Sequence, residues 1–121
     1  ELAVTASERS KGLSDRDSLP PRTGMLFTFG NGRASNFWMF GMRFPLDLIW
    51  ISRNCTVVDI TSQVRAPEPD APASQLEFYN PSSPASHTFE INAGEAEIYG
   101  ITVGTLVRFV GVSAESDAAC E

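Results

Sequence analysis

Asp47 stands inside Pro45-Leu46-Asp47-Leu48-Ile49-Trp50-Ile51, a run whose other residues all favour burial. An unpaired buried carboxylate is costly, so this one must find donors. It either accepts backbone amides or pairs with Arg9, Arg16 or Arg43, or it faces a ligand as an acid or hydrogen-bond acceptor. Trp38 and Trp50 each offer a flat apolar face and an N–H, which suits stacking on a sugar ring or another planar ligand. Core packing with the N–H satisfied internally suits Trp50 better; Trp38, beside Asn36 and ahead of Arg43, fits either role. Arg9 and Arg16 can hold an anion, or cap helices and pair with acids. Phe78-Tyr79 reads as part of a lid over a pocket or as an aromatic plug into the core. His87 has no Gly-x-Ser-x-Gly to work with, so a hydrolase triad has no support and an ordinary surface or strand histidine is expected.

Residue counts narrow the chemistry further. The chain has 121 residues, one His and two Cys, Cys55 and Cys120. A zinc site needs about four clustered ligands, and none are clustered here. The cysteines form no CxxC pair, and a disulfide between them is open but not indicated, since Cys120 lies in a polar tail. No phosphate-binding loop is present, so no cofactor is expected. The net charge of −6 gives no electrostatic footprint for nucleic acid. The apolar run Leu48–Ile51 is far too short to span a bilayer. Glu1 opens straight into Leu-Ala-Val with no signal-peptide pattern, so a targeting segment is expected to have been removed or never to have existed.

A composition of 42% hydrophobic and 20% charged residues is globular, and the length suits one domain. Residues 1–4 read as the end of a strand. Thr5-Ala6-Ser7-Glu8 is a capping box and Gly12 a helix stop, which predicts a short helix over 6–11. Ser14-Asp15-Arg16-Asp17 repeats the cap pattern ahead of Pro20-Pro21, predicting a second, weaker helical turn. From Met25 the period becomes two. Strands are predicted over 25–29, 36–42, 46–51 and 56–61, with a turn at Gly30-Asn31-Gly32. Residues 62–85 contain Pro67, Pro69, Pro72, Pro81 and Pro84, so no regular element longer than a turn is predicted over 65–74. Phe78 or Tyr79 is expected to be buried at the end of that loop. Strand resumes over 87–92, a short helix fits 94–99, a last strand fits 106–112, and residues 113–121 read as a frayed tail.

Several motifs recur in order. Glu8-Arg9-x-x-Gly12-Leu13-x-x-Arg16 leads to Leu19-Pro20 and Gly24-Met25-Leu26-Phe27. Phe37-Trp38-Met39 and Pro45-Leu46-Asp47 follow, then Val57-Val58, Tyr79, Pro84-Ala85, Asn92-Ala93-Gly94 and Gly100-Ile101-x-Val103-Gly104. This ordered set, over roughly residues 1–110, resembles the uncharacterised bacterial and archaeal family called domain of unknown function 192. The resemblance implies a compact, mostly-β domain with short helices, often preceded by an export signal or lipid-anchor site, and carries no established activity. Two departures stand out: Thr105 where the family commonly has Asp, and His87-Thr88-Phe89-Glu90 where it commonly has Tyr-Val-Leu-Glu.

The expected fold is α+β and mostly β, a curved antiparallel or mixed sheet closing toward a small barrel, with two or three short helices. It forms a single domain over 1–112. The expected function is binding of a small polar ligand, such as a carbohydrate, by Asp47, Trp38, Arg43 and Tyr79. Asp47 is expected to be buried and hydrogen-bonded, lining a cleft with Trp38 and Arg43 nearby. A small enzyme using Asp47 as general acid or base, or a protein-interaction module, are the alternatives. The expected partner is an unidentified small molecule, with no nucleic acid and no membrane span, and oligomeric state stays open. The resemblance implies an extracytoplasmic address: periplasmic, secreted or cell-surface.

Overall fold

The computed structural model describes residues 1–30, 32–112 and 120. Its elements in chain order are β1 (Leu2–Ala3), α1 (Ala6–Lys11), β2 (Gly24–Thr28), β3 (Leu46–Ile51), β4 (Val57–Val64), a 3-10 turn (Ala73–Gln75), β5 (His87–Asn92) and α2 (Glu95–Ile98). The strands form one mixed sheet in the order β1-β2-β5-β3-β4. Central β5 runs antiparallel to both β2 and β3, and β4 returns antiparallel to β3. β1 lies parallel to β2 and is joined to it through α1, a single crossover at the edge of an otherwise antiparallel sheet.

The sheet does not close into a barrel. β1 and β4 remain its two ends. The C-terminal segment meets only the start of β4, through the Thr56–Leu106 bridge and hydrogen bonds of Val57 with Gly104 and Thr105, and among the described residues no continuous strand extends there to carry closure.

Alternation along the strands feeds two apolar layers. Met25, Phe27, Leu46, Leu48 and Trp50 pack on one face with Leu13, Leu19, Ala34, Met39 and Met42 from the loops. Leu26, Ile49, Ile51 and Ile91 pack on the other with Ala96, Phe109 and Cys120. The Trp50 indole donates to Thr61 Oγ1 at 3.0 Å, so its N–H is satisfied within the protein.

The capping box forms as written: Thr5 Oγ1 accepts the Glu8 amide at 3.1 Å, and Glu8 Oε1 accepts the Thr5 amide at 2.9 Å. The chain after Gly12 is a turn and not a second helix, with Asp15 at φ 65°. Residue 31 of the expected Gly-Asn-Gly turn lies outside the described residues. The expected hairpin forms, and its second strand continues past Thr61 to Val64.

Two predicted strands do not form. Asn36 and Gly41 adopt left-handed φ values of 53° and 75°, which an extended strand does not accommodate. Residues 36–42 therefore make a loop, tied to the sequence-distant Tyr79 by one bridge at Phe37. Over 106–112, the Phe109 amide donates to the Cys120 carbonyl at 2.6 Å and Gly111 is left-handed at 73°. That segment is held down by a Cys55–Cys120 disulfide, which the polar composition around Cys120 had not indicated. The remainder of the predicted tail, 113–119 and 121, lies outside the described residues. Between residues 65 and 74 the first regular element is the 3-10 turn that begins at Ala73, in keeping with the proline spacing.

Candidate functional site

Asp47 opens β3 and is almost fully buried. Its Oδ1 accepts the Gln63 amide at 2.8 Å, and its Oδ2 accepts the amides of Gly94 and Ala96 at 3.1 and 3.0 Å. Gly94, the cap position of α2, has no side chain with which to cap. Asp47 supplies that function from another element, satisfying amides that the first turn of a helix leaves open. Both carboxylate oxygens are thus engaged in joining β3 to β4 and α2.

The other residues expected beside Asp47 lie elsewhere. Arg43 is exposed and pairs with Asp17 at 2.7 Å, a surface ion pair. Trp38 stacks against Phe40 with ring centroids 5.1 Å apart and against Phe78 at 5.5 Å. Its ring is therefore engaged by two phenylalanines. Tyr79 is half-buried, and desolvation, with Glu77 adding to it, lifts its phenol above the usual range. Phe78 is 57% exposed, so it is Tyr79 that packs toward the core while Phe78 joins the outer stack. Tyr79 forms the bridge to Phe37, next to Trp38, whereas Arg43 pairs with Asp17 and Asp47 with the amides of Gln63, Gly94 and Ala96. His87 is a buried strand residue whose Nδ1 lies 2.8 Å from Ser86 Oγ and whose ring packs on Phe109.

A different carboxyl opens on a cavity. Glu90 sits at the middle of β5, flanked by Met25 of β2 and Leu48 of β3, on the face that carries the larger apolar layer. It is only 6% exposed. Among the described residues it has no hydrogen-bond or ion-pair partner. Burial alone pushes its acid up to about 8, so it is protonated at neutral pH. Two residues back on the same face, the Thr88 hydroxyl is also buried without a partner. Buried polar groups are nearly always satisfied, so a sealed-in Thr88 hydroxyl without a partner, next to a carboxyl that meets only the cavity, is a specific anomaly.

The cavity beside Glu90 has a volume of about 330 Å³. Phe27, Phe29, Phe37, Trp38, Phe40 and Met42 give it apolar walls, while Arg9, Ser10, Lys11, Ser14, Ser35 and Asn36 add polar groups. Three pieces of chain position these walls: β2 and the residue after it supply Phe27 and Phe29, α1 with the turn after it supplies Arg9 to Ser14, and the 35–42 loop supplies Phe37, Trp38, Phe40 and Met42. Gly12, at φ 50°, lets the chain turn directly above Phe27, where a Cβ would stand 3.1 Å from the ring. Apolar walls with one buried acid are suited to a small ligand that has an apolar body and one hydrogen-bond acceptor.

Glu90 was not among the residues that the sequence singled out. The signal was present, because Phe89-Glu90-Ile91 sets an acid in an apolar strand just as Leu46-Asp47-Leu48 does. Among the described residues no group of three or more His, Cys, Asp or Glu is placed to hold a metal ion. No helix among them is long and apolar enough to cross a membrane.

The DUF192 family model, described as Uncharacterized ACR, matches residues 1–109. A crystal structure of a protein of unknown function from Novosphingobium aromaticivorans DSM 12444 is similar, at 31% identity and a TM-score of 0.71, over 86% of this chain and 69% of that one. A second, from Sinorhizobium meliloti 1021, is described as a candidate transcription regulator. It is 31% identical with a TM-score of 0.70, over 86% of this chain and 75% of that one. No curated protein matches the chain.

Proposed function

The chain belongs to the DUF192 family, and from that footing we propose that it is a small-ligand binding domain whose site is the cavity over Glu90. The observation that carries this reading is a carboxyl, buried and without a partner, opening on an aromatic-walled space. As a protonated acid it is a hydrogen-bond donor held ready for an acceptor that the protein itself does not supply. Trp38 serves as wall and rim, and Tyr79 braces the loop behind it. Asp47 and Arg43 act structurally. A carbohydrate fits less well than a ligand with an apolar body, because Trp38 is already stacked on Phe40 and Phe78.

An enzyme reading now centres on Glu90, whose raised acidity range is the kind used in general acid catalysis. Binding is preferred because, among the described residues, no second acid or base lies within hydrogen-bond reach of it. The exposed stack of Trp38, Phe40 and Phe78 favours a protein-interaction surface as the second reading. A net charge of −6 gives no electrostatic footprint for nucleic acid, so it adds nothing to a transcription-regulator reading such as the one in the name of the Sinorhizobium structure. The Cys55–Cys120 disulfide supports an extracytoplasmic address, where such bonds persist.

A thermal-shift screen of sugars, nucleotides and organic acids on the wild type and on Glu90→Leu, which removes the donor, tests the site. A compound class that raises the melting temperature of the wild type and not of the variant is expected. Equal shifts in both proteins would move the site away from Glu90.

A further inference from the structure

Two charged side chains besides Glu90 line the cavity, Arg9 and Lys11, and both are cationic. Arg9 is fixed in place. Its Nη1 donates to the carbonyl of Thr28 at 3.1 Å and to that of Val4, and its guanidinium lies over the Phe29 ring at 5.0 Å. Neither cation has a carboxylate partner among the described residues, where the ion pairs are Arg16–Glu1 and Arg43–Asp17. The acid nearest in sequence, Glu8, is taken up by the amides of Val4 and Thr5.

The three groups sit at different depths. Lys11 is exposed, Arg9 is half-buried, and Glu90 is buried. In a chain with a net charge of −6, the cavity is a local reversal of sign, with uncompensated cations toward its mouth. Such a reversal raises the local concentration of anions and orients them. A guanidinium with donors to spare is suited to a carboxylate or phosphate.

We propose that the cavity selects a small organic anion, with its apolar body against Phe27, Phe37 and Met42, its anionic group toward Arg9 and Lys11, and a hydrogen-bond acceptor at Glu90. This inference rests on the Glu90 reading above and adds the charge class of the ligand. Protonated Glu90 adds no opposing charge, and its ionisation places a negative charge in the same cavity. Glu90 is flanked by Met25 of β2 and Leu48 of β3; Arg9 and Lys11 of α1 are the other charged groups lining the cavity, and residues 35–42 contribute no ionisable wall residue. Anion binding therefore weakens as pH rises through about 8.

Three probes with matched bodies separate the charge class from the site: phenylacetate, phenylacetamide and phenethylamine, titrated by calorimetry or NMR. At pH 6.5 phenylacetate is expected to bind about tenfold tighter than the amide, with the amine weakest. Lys11→Gln, on an exposed side chain, is expected to lower phenylacetate affinity severalfold while leaving the amide unchanged. Raising the pH to 9 should weaken phenylacetate in the wild type and not in Glu90→Gln. Amide or amine binding as tight as the carboxylate, yet dependent on Glu90, would overturn the anion preference and leave the site standing. Binding of no probe, or binding indifferent to Glu90→Leu, which removes the donor, would overturn both.

Discussion

Asp47 Oδ2 accepts the amide of Ala96 at 3.0 Å, so a carboxylate at the head of β3 holds the first turn of α2 to the sheet. The same oxygen takes the Gly94 amide and its twin takes Gln63. One side chain thereby ties together three elements that lie far apart in sequence.

Asp47→Asn should be destabilising without touching the cavity. Asn keeps one acceptor oxygen but turns an NH2 donor toward amides that also donate. A loss of about 1.5–3 kcal/mol is expected for a charged acceptor of this kind. Urea unfolding reads the loss, and any ligand response centred on Glu90 should persist in the folded variant. A neutral substitution would show that α2 does not depend on this tie.

Glu90 makes stability fall with pH. Burial pushes its folded acid up to about 8, from an ordinary 4.5. Between those limits the folded state holds a proton that the unfolded state has released, so each step up in pH favours unfolding. The full span corresponds to a loss of about 5 kcal/mol, complete once pH passes through the folded value. Denaturation at a series of pH values should show this slope from about pH 5 to pH 8. Glu90→Gln should flatten it and be the more stable protein at pH 8.

Gly24→Ala should be poorly tolerated although Gly24 lies within a strand. A Cβ there would stand 2.7 Å from Cε1 of Phe89 and 2.9 Å from Cγ2 of Ile91, and closer still to the carbonyl oxygen of Glu90. Backbone on the partner strand cannot yield without breaking the ladder. A destabilisation of about 1–3 kcal/mol is expected by thermal or chemical melting. Wild-type stability in the variant would mean that the β2–β5 pair opens readily.

Removing the disulfide should loosen the C-terminal cover of the second apolar layer. The bond joins residues 65 apart, which in the chain-entropy account is worth about 4 kcal/mol. The Cys55→Ser/Cys120→Ser double variant should melt well below the oxidised wild type and become more sensitive to protease between residues 101 and 112. An unchanged melting temperature would place the hold on that segment in Val107 and Phe109 alone.

Local chemistry made much of the framework readable from the sequence. Thr5 and Glu8 specify α1 because a capping box closes within four residues. Leu46–Ile51 reads as a strand because it is a short apolar run, with Ile and Trp, set between Pro45 and the turn at Ser52-Arg53-Asn54, and His87–Asn92 because its apolar residues alternate. The need of Asp47 for donors was likewise legible, since a carboxylate in an apolar run stays ionised only where donors meet it. Its donors were not, because they come from residues 63, 94 and 96, which only the folded sheet brings together. The 36–42 segment looks like a strand because both of its faces are apolar. In the fold Met39 and Met42 enter the core while Trp38 and Phe40 join an exposed stack, a division made by the left-handed turns at Asn36 and Gly41. Cys55 and Cys120 are separated by most of the second half of the chain, and sequence distance says nothing about spatial distance. The cavity was decided at the same level. Asp47 and Glu90 are both acids in apolar strands, and what separates them is whether neighbouring elements deliver backbone amides or leave an open space.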